Sequence, residues 1–257
     1  MIKIAFFDVD GTLLPLKQLE LNPPVLEALL QLQKNGVKLF LASGRPKFVL
    51  PKFKGIEFDG ALSFNGQLCF DQERTLFENA LHPRDVLQVF ENSKRINKAV
   101  VACQPGRFAS NYRDDVLMDY FQAASQRYEL VDDFVGFLQE ESIYEMMCAI
   151  SPEEEHRLLD DTKNVQVVRW WPYACDLIPA NGGKGIGVQE VLKAYGISKE
   201  EAISFGDGGN DIDMLQATGL SVAMGNALNS VKEVATYTTT TVEENGVVDA
   251  LKHFDLI

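Results

Sequence analysis

The sequence predicts an α/β protein, with a parallel-sheet core assembled from both ends of the chain and an α+β domain inserted between them. Three observations carry this reading. Toward each end, short and almost uniformly apolar strands alternate with helical patterns, as in a sheet covered on both faces. Several of those strands run directly into acidic, hydroxyl or glycine-rich turns, at the strand ends where open α/β sheets bind ligands. The middle of the chain reads as helices plus hairpins. A length of 257 residues leaves room for one large or two modest domains with a buried core.

The first strand is the apolar run Ile2 to Phe7. A helix opens at Asn22-Pro23-Pro24, because proline is tolerated in a first turn, and Gly36 closes it. Val37–Ala42 is the second strand. In the insert, His82–Arg95 and Asp114–Gln126 have helical patterns, and Lys98–Gln104 with Arg107–Tyr112 form a hairpin around Pro105-Gly106. Ser142–Ile150 is a strand. Ser151-Pro152-Glu153-Glu154 has the form of a capping box for a helix to Asp161. Val165–Trp171 and Ala174–Ile178 make a second hairpin. The chain then returns to alternation: a helix over Lys184–Tyr195, a strand at Ala202–Phe205, a helix from Asp211 to Ala217, a strand at Leu220–Met224, a helix over Asn226–Ala235 and a last one from Gly246.

Asp8-Val9-Asp10-Gly11-Thr12 lies directly behind the first strand. Carboxylates at i and i+2 point the same way in a regular strand, and the Gly-Thr turn lets both reach one pocket with different geometry. Crowded carboxylates are costly unless a cation joins them, so the pair calls for a metal. The same pair suits covalent chemistry, one carboxylate as nucleophile and the other as acid and base. The alternative is plain turn formation. Behind the second strand, Ser43 and the Gly44 amide can donate to a phosphate oxygen, and Arg45 can add a bidentate contact; an ordinary turn with a surface arginine explains the same residues. In Asn181-Gly182-Gly183-Lys184-Gly185 a lysine opens a helix, against the dipole, which suits neutralising a phosphate; the alternative is a solvated lysine. Gly206-Asp207-Gly208-Gly209-Asn210-Asp211 crowds acidic and amide groups on a glycine-rich turn. Asp207 is placed to ligate a metal, and Asn210 and Asp211 to ligate or orient; helix capping accounts for Asp211 alone.

Together these segments resemble the haloacid dehalogenase-like superfamily. Asp8 to Thr12 match its first motif, Ser43 the second, Lys184 the third and Gly206 to Asp211 the fourth, in order and in spacing. Asn65-Gly66 and Ala223-Met224-Gly225-Asn226-Ala227 resemble further motifs of the branch of Cof-type sugar-phosphate phosphatases, which inserts a large cap between motifs two and three. The resemblance covers roughly residues 1 to 80 and 180 to 257. It implies a Rossmann-like core over residues 1–80 and 181–257 and an α+β cap, carrying substrate specificity, over residues 81–180.

It also implies a mechanism. Asp8 attacks phosphorus and becomes an aspartyl-phosphate, while Asp10 protonates the leaving alcohol and then deprotonates water. Mg2+ sits among Asp8, the Asp10 backbone carbonyl, Asp207 and Asp211. Ser43, Gly44 and Lys184 hold the phosphoryl oxygens, with Arg45, Asn65 and Asn210 on the substrate side. Thr12 positions Asp10, and the cap closes over the site. The acid at Asp10 separates phosphate-ester cleavage from the carbon–halogen and carbon–phosphorus chemistries of the superfamily. A phosphomannomutase-like mutase and a non-catalytic phosphosugar binder are the competing classes. In the insert, Trp170-Trp171-Pro172-Tyr173 and Tyr144-Glu145 offer faces and edges for a leaving group, with Arg113 and Asp176 open; packing of the insert explains the same residues.

Composition narrows the rest. A net charge of −13 opposes general nucleic-acid binding, which needs a basic footprint; the partner that the resemblance implies is a small phosphorylated metabolite. Locally, a divalent cation with Lys184 and Arg45 would reverse that sign. Cys69, Cys103, Cys148 and Cys175 have no paired spacing, which speaks against zinc and for reduced thiols in a cytoplasmic protein. The leading apolar run ends at Asp8, too soon for a signal peptide, and no stretch approaches a membrane span.

Overall fold

The computed structural model describes residues 1–15, 17–123, 126–171 and 173–257, and the side chains of Ala123, Trp170 and Trp171 lie outside that description. The chain forms two compact units, one of residues 1–45, 50–78 and 183–257, the other of residues 46–49 and 79–182.

The first part of the chain contributes β1 (Ile4–Phe7), α1 (Pro23–Lys34), β2 (Lys38–Ala42), β3 (Gly60–Ser63), β4 (Leu68–Asp71) and β5 (Thr75–Glu78). The second unit holds α2 (Pro83–Arg95), β6 (Val100–Cys103), β7 (Phe108–Ser110), α3 (Asp115–Ala123), β8 (Glu129–Leu130), α4 (Phe134–Glu140), β9 (Glu145–Cys148), α5 (Glu155–Leu158), β10 (Val165–Trp171) and β11 (Ala174–Pro179). The chain ends with α6 (Lys184–Tyr195), β12 (Ala202–Gly206), α7 (Ile212–Ala217), β13 (Leu220–Ala223), α8 (Asn229–Val234), β14 (Tyr237–Thr238) and α9 (Gly246–His253).

The first unit is built on a sheet ordered β14-β13-β12-β1-β2-β3-β4-β5. The pairs from β14 through β3 are parallel, whereas β3–β4 and β4–β5 are antiparallel. The expectation of a parallel sheet is thus corrected at one edge. There Phe64, Asn65 and Gly66 all take positive φ, turning the chain back on itself between β3 and β4. Alternation along β1 divides the core. Ala5 and Phe7 pack with α1 and α9 through Val25, Leu29, Leu32, Val247 and Leu251. Ile4 and Phe6 pack with α6 and α7 through Val188, Val191, Leu192 and Met214. Asp8, next in the alternation, therefore emerges on the α6 side, and α6 begins with Lys184.

The second unit has a sheet ordered β10-β11-β9-β6-β7-β8, antiparallel except for β7–β8. One face is covered by Val89 and Phe90 of α2, Phe134 and Phe137 of α4 and Leu158 of α5. The Pro105-Gly106 hairpin forms, closed by Gln104 N donating to Arg107 O at 3.1 Å. The capping box at Ser151 does not: its side chain makes no cap hydrogen bond, and a 3-10 turn, Pro152–Glu154, leads into the short α5. Helix α4 lies where the sequence shows no helical period, although Asp133 caps it by accepting from Gly136 N at 2.8 Å. Tyr144, Glu145 and Asp176 are buried in this unit, and Asp176 accepts the Tyr120 hydroxyl. Arg113 is exposed and pairs with Asp115. Of the aromatic candidates, Tyr173 is exposed, while Pro172 and the side chains of Trp170 and Trp171 lie outside the described residues, as do residues 124 and 125 of the expected Asp114–Gln126 helix. All four cysteines are free and buried. Among the described residues no helix is long and apolar enough to cross a membrane.

Candidate active site

Strands β12, β1, β2 and β3 are adjacent and parallel, so their carboxyl ends share one edge of the sheet. Asp8 follows β1, Ser43 follows β2, Asn65 follows β3 and Asp207 follows β12. The strand-to-turn transition after β1 is tight: Leu13 N and Leu14 N both donate to Val9 O, and Gly11 takes φ +92. A Cβ on Gly11 would lie 2.3 Å from Asp207 Oδ2, so glycine is what lets the Asp207 carboxylate lie against this turn.

The centre of the cluster is Lys184. Its ammonium donates to Asp8 Oδ1 and to Asp211 Oδ1, each at 2.6 Å, and its side chain is fully buried. Gly183 at φ +139 turns the chain into α6, and Asp213 Oδ2 accepts Gly185 N at 2.9 Å, placing an anion where the dipole favours one. Asp213 carried no signal in the sequence beyond its place two residues after Asp211. The second oxygen of Asp211 accepts the amides of Asp207 and Gly208, at 3.0 and 2.9 Å. Asp8, Asp207 and Asp211 bring carboxylate oxygens within 4.8 Å of one another.

Electrostatics follow from this crowding. Burial and the nearby Asp211 push the Asp8 carboxyl well above its ordinary range, against the pull of Lys184. Burial and Asp211 likewise push Asp207 up to about 7, against the Thr12 hydrogen bond. Burial disfavours a charged Lys184, but Asp211 and Asp8 outweigh it and its proton is held more tightly than usual. One ammonium therefore does not balance the carboxylates around it. An all-oxygen anionic donor set with charge left over fits a hard divalent cation.

Arg45, Thr12 and the amides Asn65 and Asn210 each find a partner within the protein. Arg45 pairs with Asp10, Nε to Oδ2 at 2.9 Å and Nη2 to Oδ1 at 2.7 Å, so its fork lies on that carboxylate. The Asp10 carboxylate is not among the three whose oxygens lie within 4.8 Å of one another. Thr12 does not hold Asp10, because its hydroxyl donates to Asp207 Oδ1 at 3.0 Å. Asn210 donates to Asn65 Oδ1 at 2.9 Å, so the two amides expected on the substrate side bind each other. Ser43 is buried, its hydroxyl accepting Arg45 N at 3.1 Å, and Gly44 lies under the Asn65 carboxamide, 3.2 Å from a would-be Cβ. Asn226, of the Ala223–Ala227 segment, donates to Gly11 O at 2.9 Å and reaches Asp207 Oδ2 at 3.4 Å.

A family model described as haloacid dehalogenase-like hydrolase matches residues 5–251. The chain is a haloacid dehalogenase-like hydrolase. This hydrolase is 28% identical over 267 residues to 5-amino-6-(5-phospho-D-ribitylamino)uracil phosphatase YitU of Bacillus subtilis, covering 96% of this chain and 95% of the relative. Its fold matches BT1666, a phosphatase of the superfamily from Bacteroides thetaiotaomicron, with TM-score 0.93, 28% identity and coverage of 100% of this chain and 96% of that one. It also matches the HAD subclass IIB sugar phosphatase BT4131, with TM-score 0.89, 29% identity and coverage of 99% and 100%. The hydrolase is an enzyme of the superfamily's phosphatase kind.

Proposed function

We propose that this phosphatase is Mg2+-dependent, hydrolyses small phosphate monoesters of the sugar-phosphate class, and works through an aspartyl-phosphate on Asp8. The observation that carries the reading is the Lys184 bridge between Asp8 and Asp211, set in a carboxylate cluster that has more negative charge than its one ammonium offsets. Asp8, Asp207 and Asp211, with the Asp10 carbonyl, are the groups that would hold Mg2+. When bound, the cation supplies charge neutralisation between the carboxylates and a phosphate dianion.

In the first half-reaction an Asp8 oxygen attacks phosphorus in line, and the bond from phosphorus to the leaving oxygen breaks. The alcohol departs with a proton from Asp10, whose carboxylate plane is set by Arg45. In the second, water attacks phosphorus, Asp10 takes its proton, and the bond to Asp8 breaks to release inorganic phosphate. Lys184 keeps Asp8 oriented and offsets charge on the phosphoryl oxygens, which Ser43 and the Gly44 amide also approach. Selection among esters is assigned to residues 81–180. A sugar phosphatase and a ribityl-phosphate phosphatase among the similar proteins support a polyol-bearing monoester.

The test is a panel of sugar phosphates, ribityl phosphates and p-nitrophenyl phosphate, assayed with Mg2+ and with chelator, on wild type and Asp8→Asn. Phosphate release that needs the metal and disappears in the variant is the expected result. Absence of release from every ester with Mg2+ present would overturn the reading, and turnover only with an added sugar bisphosphate would replace it with a mutase.

A further inference from the structure

Asn226 stands in the Ala223–Ala227 segment, which the mechanism above leaves without a task. It follows β13, the strand beside β12 that delivers Asp207. Its carboxamide is used in three directions. Nδ2 donates to Gly11 O at 2.9 Å and reaches Asp207 Oδ2 at 3.4 Å, and Oδ1 accepts Val242 N at 2.9 Å. The neighbouring backbone is pinned as well: Gly225 N donates to Thr240 O at 2.9 Å, and Lys232 Nζ donates to Gly225 O at 2.6 Å. The opposite oxygen of Asp207 accepts the Thr12 hydroxyl.

The Asp207 carboxylate is thereby held at both oxygens by neutral donors from different loops, and seated against the one residue of the Asp8–Thr12 turn without a side chain. The donor at Oδ2 comes from a group that also grips the carbonyl of that turn. One amide thus ties the loop after β1, the loop after β12 and the loop after β14 to the same carboxylate.

We infer that Asn226 is a positioning residue for Asp207, fixing the plane of that carboxylate before a divalent cation arrives. The inference rests on the reading of the cluster as a Mg2+ site. Its physical content is that an oriented ligand loses less conformational freedom on binding, and partners of a ligand typically matter by about 10- to 100-fold in metal affinity. A merely structural Asn226 would stitch the three loops together without changing affinity for the metal.

The test is calorimetric titration of Mg2+ into the metal-free full chain, with no ester present, for wild type, Asn226→Ala and Asn226→Ser. Serine removes the carboxamide but leaves a hydroxyl that can hydrogen-bond within the loop, and it serves should the alanine variant fold poorly. The expected result is Mg2+ binding weakened about 10-fold or more, with KM for p-nitrophenyl phosphate at saturating Mg2+ changed by less than about 3-fold. A folded variant that melts at a lower temperature but binds Mg2+ within about 3-fold of wild type would overturn the inference and leave the phosphatase reading intact. Wild-type protein that binds no Mg2+ would overturn both.

Discussion

Lys184 joins Asp8 and Asp211 through a single ammonium, 2.6 Å from each carboxylate. The helix that carries it starts beside two loops from different strands, and this one buried charge is shared between the two carboxylates. Lysine 184→methionine (Lys184→Met) keeps the volume and removes the charge. Two carboxylates would then be buried without their cation, an arrangement that costs roughly 3–5 kcal/mol. Urea unfolding in chelator is expected to show a loss of that order, partly restored by Mg2+, with phosphate release reduced by at least about 100-fold. A wild-type unfolding midpoint in chelator would show that the ammonium does not compensate these groups.

Gly11 is where the turn after β1 faces the Asp207 carboxylate. Gly11→Ala puts a Cβ at 2.3 Å from Asp207 Oδ2 on a backbone with φ +92, so both sterics and backbone conformation oppose it. The expected cost is about 1–3 kcal/mol in stability. Turnover is expected to fall further than stability alone explains, because the Asp207 carboxylate must move. Thermal melting and steady-state kinetics on one preparation decide this; full activity in the variant would mean that the position of Asp207 is not critical.

Arg45 separates two mechanisms by its kinetic signature. Bound to Asp10 as found, its loss in Arg45→Ala should lower kcat by about 10-fold or more while KM for the ester moves little. A phosphate-binding arginine would instead raise KM with kcat nearly unchanged. Arg45→Lys should recover little, because a lysine lacks the planar fork.

Tyr195 and Asp71 give a pH signature remote from the site. The Tyr195 hydroxyl donates to Asp71 Oδ2 at 2.9 Å, tying α6 to β4. Slight burial opposes ionisation of Asp71, but the amides of Arg74 and Glu73 and the Tyr195 hydroxyl hold it below its ordinary range. Burial and Asp71 push Tyr195 up to about 12. The depressed acid contributes stability above its ordinary range, lost as pH falls through the lowered value. The raised phenol contributes below its ordinary value near 10, and that part is lost as pH rises toward about 12. Tyr195→Phe should therefore cost stability at neutral pH, by less than about 1 kcal/mol because both groups are largely solvated, and the gap should close at both extremes. Denaturant midpoints at acid, neutral and strongly alkaline pH measure it; a constant gap would contradict the linkage.

How far the sequence could be read depended on how local each signal was. Strands β1 and β2, helix α6 and the two hairpins of the second unit were legible because apolar runs and turn residues are read within a few positions. Strands β4 and β5 were not. β4 follows β3 after a four-residue turn, and β5 is only half-buried, with neither a continuous apolar run nor clean alternation to mark it. Helix α4 had its capping aspartate in view, but Phe134–Glu140 is too short to establish a period.

In the site, residue chemistry and order along the chain determined the inventory: Asp8, Asp10, Thr12, Ser43, Lys184, Asp207, Asn210 and Asp211 all lie at strand ends or helix starts on one sheet, as the sequence predicted. Which of them meet was decided only by the tertiary structure. Asp10 and Thr12, two residues apart, part company because Gly11 leaves the extended conformation at φ +92; Asp10 turns to Arg45 and Thr12 to Asp207. Asn226 meets Gly11 from 215 positions away. Local sequence specifies the backbone turn and the type of side chain. Contacts between loops depend on strand order and register, and these arise from burying both faces of the whole sheet at once.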